Sequence, residues 1–222
     1  MSAPKLAKTV YTYNGKVQKP SVTVKDSTGK PLKAGADYTA NYPKGRKAVG
    51  RYGVQVKLKG KYKGSRTVYF TVKPKGTSIS KVTGGKKKIN VIWKKQTAQT
   101  TGYQIQYSTS SNFKNAKTVT VRQKQHHQKT ITGLKNGKKY YVRVRTYKTV
   151  KTGHKSTKYY SSWSKSKNTG SVKKSAPKGN TVYVSPTGKK YHYIKSCAGK
   201  HPIKTTLKEA KKNHTPCKKC AM

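Results

Sequence analysis

The chain has 222 residues, of which 53 are Lys or Arg and three are Asp or Glu, for a formal net charge of +50. So few carboxylates all but exclude paired-acid catalysis, and no stretch approaches the ~20 apolar residues of a membrane-spanning helix. Low hydropathy with high charge is the composition of disordered chains, but 17 tyrosines and many valines and threonines suit pleated sheet surfaces, so the composition predicts mainly β structure under a basic exterior.

The opening, "MSAPKLAKTV", has no hydrophobic leader core. Taken literally, that places the chain in the cytoplasm; strand-like sequence begins so early, at Thr9-Val10-Tyr11, that the start also reads as truncated. "SVTVKDSTGKPL" puts Val22 and Val24 on one face and then turns at Asp26-Ser27-Thr28-Gly29. Tyr52, Val54, Val56 and Leu58 alternate at period two, and Thr67 to Val72 repeats the pattern. Short strands with turn signals about every ten residues predict an all-β sandwich or barrel.

"VKPKGTS" (72–78) is a Pro/Gly break and predicts a short linker. A second β unit follows. Ile89, Val91 and Trp93 alternate, as do Tyr103, Ile105 and Tyr107, and then Tyr140, Val142 and Val144 in "YYVRVRTY". Val119 with Val121, and Ile131, mark weaker strands. Because side chains switch faces at each residue, Tyr141, Arg143, Arg145 and Tyr147 are expected to point outward. Trp93, "GYQIQYS" and "LKNGKKYYVRV" resemble the fibronectin type III domain, over residues 77–170. Leu134 and Tyr140 have the six-residue spacing of that family's tyrosine corner, which implies a phenolic OH reaching back to backbone. Asn136 stands where a proline often precedes the glycine, here Gly137. "YYSSWS" (159–164) resembles the approach to the last strand, and Trp163 is read as sandwich packing rather than a sugar platform. His126-His127 falls between strands and reads as a solvated loop.

"YTYNGKVQKPSVTVKD", "KAVGRYGVQVKLKG" and "TGYQIQYSTSSNFKNAKTV" are similar to the basic, repeat-built C-terminal regions of secreted bacterial surface proteins. That resemblance implies a secreted or cell-surface location, with an Ig-like β-sandwich over residues 1–74 followed by a fibronectin-like module.

"SVKKSAPKGN" (171–180) reads as a second linker. Residues 181–222 change character, holding all three cysteines, three of the six histidines and the only glutamate. Val182, Val184, Tyr191 and Tyr193 suggest a hairpin around Pro186-Thr187-Gly188. "TLKEAKKN" predicts a helix of about two turns, with Thr206 and Glu209 at capping-box spacing. Asn213 is expected to end it in the left-handed conformation, and Pro216 bars continuation. A domain this small and poor in apolar residues needs disulfides or a metal. Three cysteines cannot all pair with one another, whereas three thiolates and one imidazole complete a tetrahedral zinc site.

The expected ligands are His192, Cys197, Cys217 and Cys220 around a structural Zn²⁺. His201 stands as the alternative to His192, and His214 sits too near Cys217. A disulfide or redox pair at Cys217–Cys220 is the competing reading. "TGKKYHYIKSC…TLKEAKKNHTPCKKC" is similar to the zinc-binding N-terminal domain of Ada DNA-repair proteins. In that family a cysteine accepting a methyl group stands at the place held here by His192; an imidazole lacks thiolate nucleophilicity, so the resemblance implies the zinc fold without the repair chemistry.

No phosphate-binding glycine loop or nucleophile elbow appears, and no enzyme activity is expected. Lysines outnumber arginines 47 to 6, which favours diffuse attraction over base-specific reading. The expected function is non-catalytic adhesion to an anionic cell-wall polymer or other polyanion, nucleic acid entering only as a non-specific partner. The alternatives are DNA binding through the Ada-like domain and service as the accessory tail of a larger secreted hydrolase.

Overall fold

A computed structural model describes residues 2–171 and 181–220. In the first unit the strands are β1 (Lys5–Leu6), β2 (Val10–Thr12), β3 (Val22–Thr23), β4 (Tyr38–Asn41), β5 (Gly50–Leu58) and β6 (Ser65–Lys73). A four-stranded sheet runs β2-β6-β5-β4, with β2 parallel to β6 and the other pairs antiparallel. The period-two pattern decides its face: Val54, Val56, Phe70 and Val72 are all buried. Leu6 and Val22, from the small β1–β3 sheet, pack onto that face. The Tyr38 hydroxyl donates to the Val22 carbonyl at 2.7 Å and stitches the two layers. The turn after β3 is organised by Asp26, whose carboxylate accepts from the backbone N–H groups of Thr28 and Lys30 and from the Thr28 hydroxyl.

Of residues 72–78, expected as a linker, Val72 and Lys73 complete β6 and the stretch beyond them is fastened to the second unit. The Thr146 hydroxyl donates to the Lys75 carbonyl at 2.7 Å, and the Val49 N–H of the first unit donates to the Gln99 side chain at 3.2 Å.

The second unit comprises β7 (Ile79–Gly85), β8 (Lys88–Trp93), β9 (Gly102–Ser108), β10 (Lys117–Val121), β11 (Gln128–Ile131), β12 (Lys139–Thr152), β13 (Lys155–Tyr160) and β14 (Lys167–Ser171). One sheet is β11-β8-β7; the other is β10-β9-β12-β13, with β14 also on β12. Their shared core holds Ile89, Val91, Trp93, Tyr103, Ile105, Val142 and Val144. Tyr140 makes the expected corner, its hydroxyl accepting the Lys135 N–H at 3.1 Å. His126 and His127 are exposed between strands.

One expectation on this sheet is refined and one corrected. Tyr147 lies on the outward face with Arg145, as expected, but is buried there under its cross-strand neighbour Tyr160. The faces still alternate, but the ring is covered because it lies over Gly102, which pairs with Tyr147 across β9 and β12. Trp163 is not in the core; it is half-buried between two guanidinium groups, 5.0 Å from that of Arg143 and 4.2 Å from that of Arg145.

The expected linker 171–180 lies, apart from Ser171, outside the described residues, and Ser171 itself ends β14. The third unit has β15 (Thr181–Val184), β16 (Lys190–His192), β17 (Ile203–Thr206), α1 (Leu207–Asn213) and β18 (Thr215–Pro216). Its sheet is β17-β15-β16-β18, and β18 runs parallel to β16. Four buried apolar residues, Val182, Val184, Tyr191 and Ala210, form its core.

Gly102 allows the close approach of β9, β10 and Tyr147: a Cβ there would lie 2.1 Å from the Val121 carbonyl oxygen and 3.0 Å from the Tyr147 ring. Gly102→Ala is therefore expected to destabilise the second unit by the ~1–3 kcal/mol typical of overpacking. A thermal melt should show a Tm lower by roughly 5–20 °C; an unchanged Tm would contradict this packing.

Candidate metal centre

The third unit brings distant residues together through two pairings. The hairpin of β15 and β16, with Tyr183 opposite His192 and Val184 opposite Tyr191, fixes which side chain enters the core. Tyr191 goes in, which turns His192 to the other side. A 3-10 turn at Lys195–Cys197 then presents Cys197.

Helix α1 carries the chain back. The Thr206 hydroxyl caps it by accepting the Glu209 N–H at 3.2 Å. Among the described residues only this arm of the expected capping box forms, since the Glu209 carboxylate pairs with Lys212 at 3.2 Å instead. Asn213 does not adopt the left-handed conformation. The helix ends on His214 in extended conformation (φ −135°), because the next residues must be extended to pair as β18 with Lys190 and Tyr191. That pairing continues one step further, the Cys217 N–H donating to the Tyr191 carbonyl at 3.0 Å, and so sets Cys217 beside His192. The following turn closes with the Cys220 N–H on the Cys217 carbonyl at 3.2 Å.

The result is a cluster in which the ligand atoms of His192, Cys197, Cys217 and Cys220 all lie within 4.8 Å of one another. Cys197 Sγ and Cys217 Sγ are 3.9 Å apart, and Cys220 Sγ is 3.7 Å from His192 Nδ1. A tetrahedron whose corners stand ~2.0–2.3 Å from a central ion has edges of about 3.3–3.8 Å, the scale of these separations. A disulfide needs sulfurs at about 2.05 Å, and all three cysteines are free thiols. His201 is exposed and belongs to no such group, and His214 serves as the helix C-cap.

The electrostatics suit ligation. Burial, and then the charge of Lys190, hold the His192 imidazole below its ordinary value, so its neutral, electron-donating form predominates at neutral pH. Burial pushes Cys217 up, but the Lys219 backbone N–H and the neighbouring thiols donate to its sulfur and bring it below the usual thiol value. Burial, with donation to Cys220 and Cys217, pushes Cys197 up to about 11. The four side chains thus form a cluster compatible with a metal ion.

The rest of the chain offers no competing catalytic set among the described residues. Asp26 and Asp37 each accept backbone N–H groups within their own turns, and Glu209 is paired on the helix. The sequence reading missed a second constellation, the alternating stack of rings and guanidiniums around Trp163. Its signal was present as two outward arginines at i and i+2 of one strand, but the partners Phe113 and Tyr160 lie on other elements.

Residues 72–162 match the family model of the fibronectin type III domain, so the second unit is such a domain and the protein is modular. Among solved structures, the FN1–FN3 domains of chicken CNTN1 are 21% identical, with 57% of this chain and 44% of that one covered and a TM-score of 0.39. A β-1,2-glucanase from Parabacteroides distasonis is 17% identical, with 54% and 18% covered and a TM-score of 0.30. The chain therefore spans less than half the length of either. No curated protein matches it.

Proposed function

We propose that this is a non-catalytic, secreted or cell-surface adhesion protein. Two β-sandwiches present a lysine-rich surface to an anionic cell-wall polymer or similar polyanion, and a structural Zn²⁺ closes the terminal domain. The observation that carries the reading is uncompensated charge: of 53 basic residues, one, Lys212, forms an ion pair among the described residues. A surface whose cations lack internal counter-charges attracts external ones, and the attraction is long-ranged and non-specific. The three acids are consumed by turns and by the helix, which supports the absence of catalysis.

Zinc is the metal favoured by three thiolates and an imidazole. Four protein ligands leave no open position for a substrate, which assigns the ion a structural role. His192 would contribute Nδ1, the atom facing Cys220. With an imidazole in place of a thiolate there, methyl transfer is not part of the reading.

Two outcomes test it. Binding to immobilised polyanions should weaken by about 10³-fold or more between 50 and 200 mM salt if six or more anionic groups are engaged; salt-independent binding would refute electrostatic attachment. Preference for DNA over other polyanions at matched charge density would instead support the nucleic-acid reading. Purified protein should contain one zinc per chain by mass spectrometry. His192→Ala should lower zinc affinity by at least the ~10–100-fold that loss of a supporting outer partner costs, with His201→Ala near wild type. Equal loss in both variants would disprove this ligand set.

A further inference from the structure

The outward face of β12 carries a five-layer stack that crosses the fibronectin domain. Phe113 lies 4.0 Å from the Arg143 guanidinium, Trp163 lies between Arg143 (5.0 Å) and Arg145 (4.2 Å), and Tyr160 covers Arg145 at 4.0 Å. The strand places the two arginines on one side, about 6–7 Å apart along β12. Directly opposite in register, β9 supplies Gln106 to Arg143 and Gln104 to Arg145. Gln106 accepts from Arg143 Nε at 2.7 Å; Gln104 accepts from Arg145 Nε at 3.0 Å and from one Nη at 2.7 Å.

These contacts fix the guanidinium planes without neutralising them. Among the described residues, no acceptor takes either Nη of Arg143 or the remaining Nη of Arg145, and none of the three acids comes to this face. Burial, and to a lesser degree the neighbouring Arg143, disfavours the charge on Arg145, partly offset by Tyr160. Two like charges held on either side of one indole ring, partly desolvated and with no carboxylate, are costly unless an anion completes them.

We propose that Arg143 and Arg145 form a phosphate-binding site, taking successive phosphate groups of an anionic polymer through their free Nη edges. The guanidinium fork matches two oxygens of one phosphate, which a lysine ammonium cannot reproduce. The faces of both guanidiniums are already covered by aromatic rings, leaving no stacking surface for a nucleobase between them. Recognition is therefore of the phosphate and not of a base. Because the fork is fixed before the ligand arrives, little ordering cost remains on binding. The proposal rests on the polyanion reading above and names where on the chain phosphate is bound.

The test uses the full chain and inorganic polyphosphate at 150 mM salt. Arg143→Lys/Arg145→Lys keeps the charge and removes the fork, and is expected to weaken binding about tenfold. Lys57→Gln/Lys63→Gln removes two exposed charges from the first sandwich and is expected to cost less than threefold. In wild-type protein, where no folding defect intervenes, the Arg143 and Arg145 side-chain resonances and the Trp163 indole signal should shift on polyphosphate addition. If wild type binds but the lysine swap binds equally well, or those resonances stay still at saturation, the site is refuted and general electrostatic attachment survives. Equal engagement of these resonances by polyglutamate would overturn the assignment to phosphate. Absence of any polyphosphate binding by wild type would overturn both.

Discussion

The structure is governed by a shortage of negative charge. A chain with +50 and three acids cannot brace itself with ion pairs, and the described residues contain one, exposed on a two-turn helix. Its cations find aromatic rings instead. Arg51 lies 3.6 Å from the centre of Tyr69, Arg46 and Lys19 lie over Tyr42, and Lys8 lies over Tyr11. A ring face attracts a cation by its quadrupole and needs no countercharge. The many tyrosines thus do two things: some fill the core, and others hold lysine and arginine stems against the sheet. Tyrosine hydroxyls also replace polar side chains as ties, as Tyr38 does between layers and as Tyr103 does by accepting the Gln96 N–H at 2.8 Å.

What was legible in the sequence follows from this. Where alternation alone decides burial, as in Val54–Val56 or Ile89–Val91–Trp93, the pattern could be read directly, because charged neighbours leave only one face that can enter a core. It gave the face of Tyr147 but not its burial, where a glycine on the next strand makes room that only the pairing register reveals. It failed at Trp163, since an indole in a β protein ordinarily packs inward, and nothing local shows that two arginines of another strand will sandwich it. The cysteine spacing disclosed the metal-type cluster, but not how it is assembled. The parallel pairing of Thr215 and Pro216 with β16 is a contact between residues 25 apart, in a segment with almost no β signature. The same pairing explains why Asn213 does not take the left-handed form its position invited: the chain has to leave the helix already extended.

The terminal unit faces the charge shortage most acutely. Residues 181–220 carry ten lysines and one glutamate, around a core of four buried apolar residues. Hydrophobic burial on that scale is marginal for a domain of this size, and mutual repulsion of the lysines lowers it further. Disulfides would cross-link the unit but leave the charge unchanged. In the proposed centre, three thiolates around a dication carry a net charge of −1, buried amid that positive field. The same ligation therefore supplies both things the segment lacks, a cross-link between its hairpin and its C-terminal turn, and a negative charge at its centre. The lysines that make a packed core difficult surround a centre of opposite sign, so the positive surface and the proposed centre stabilise each other. A substitution that removed the lysines flanking the cluster would, on this argument, weaken the centre even though no lysine is a ligand.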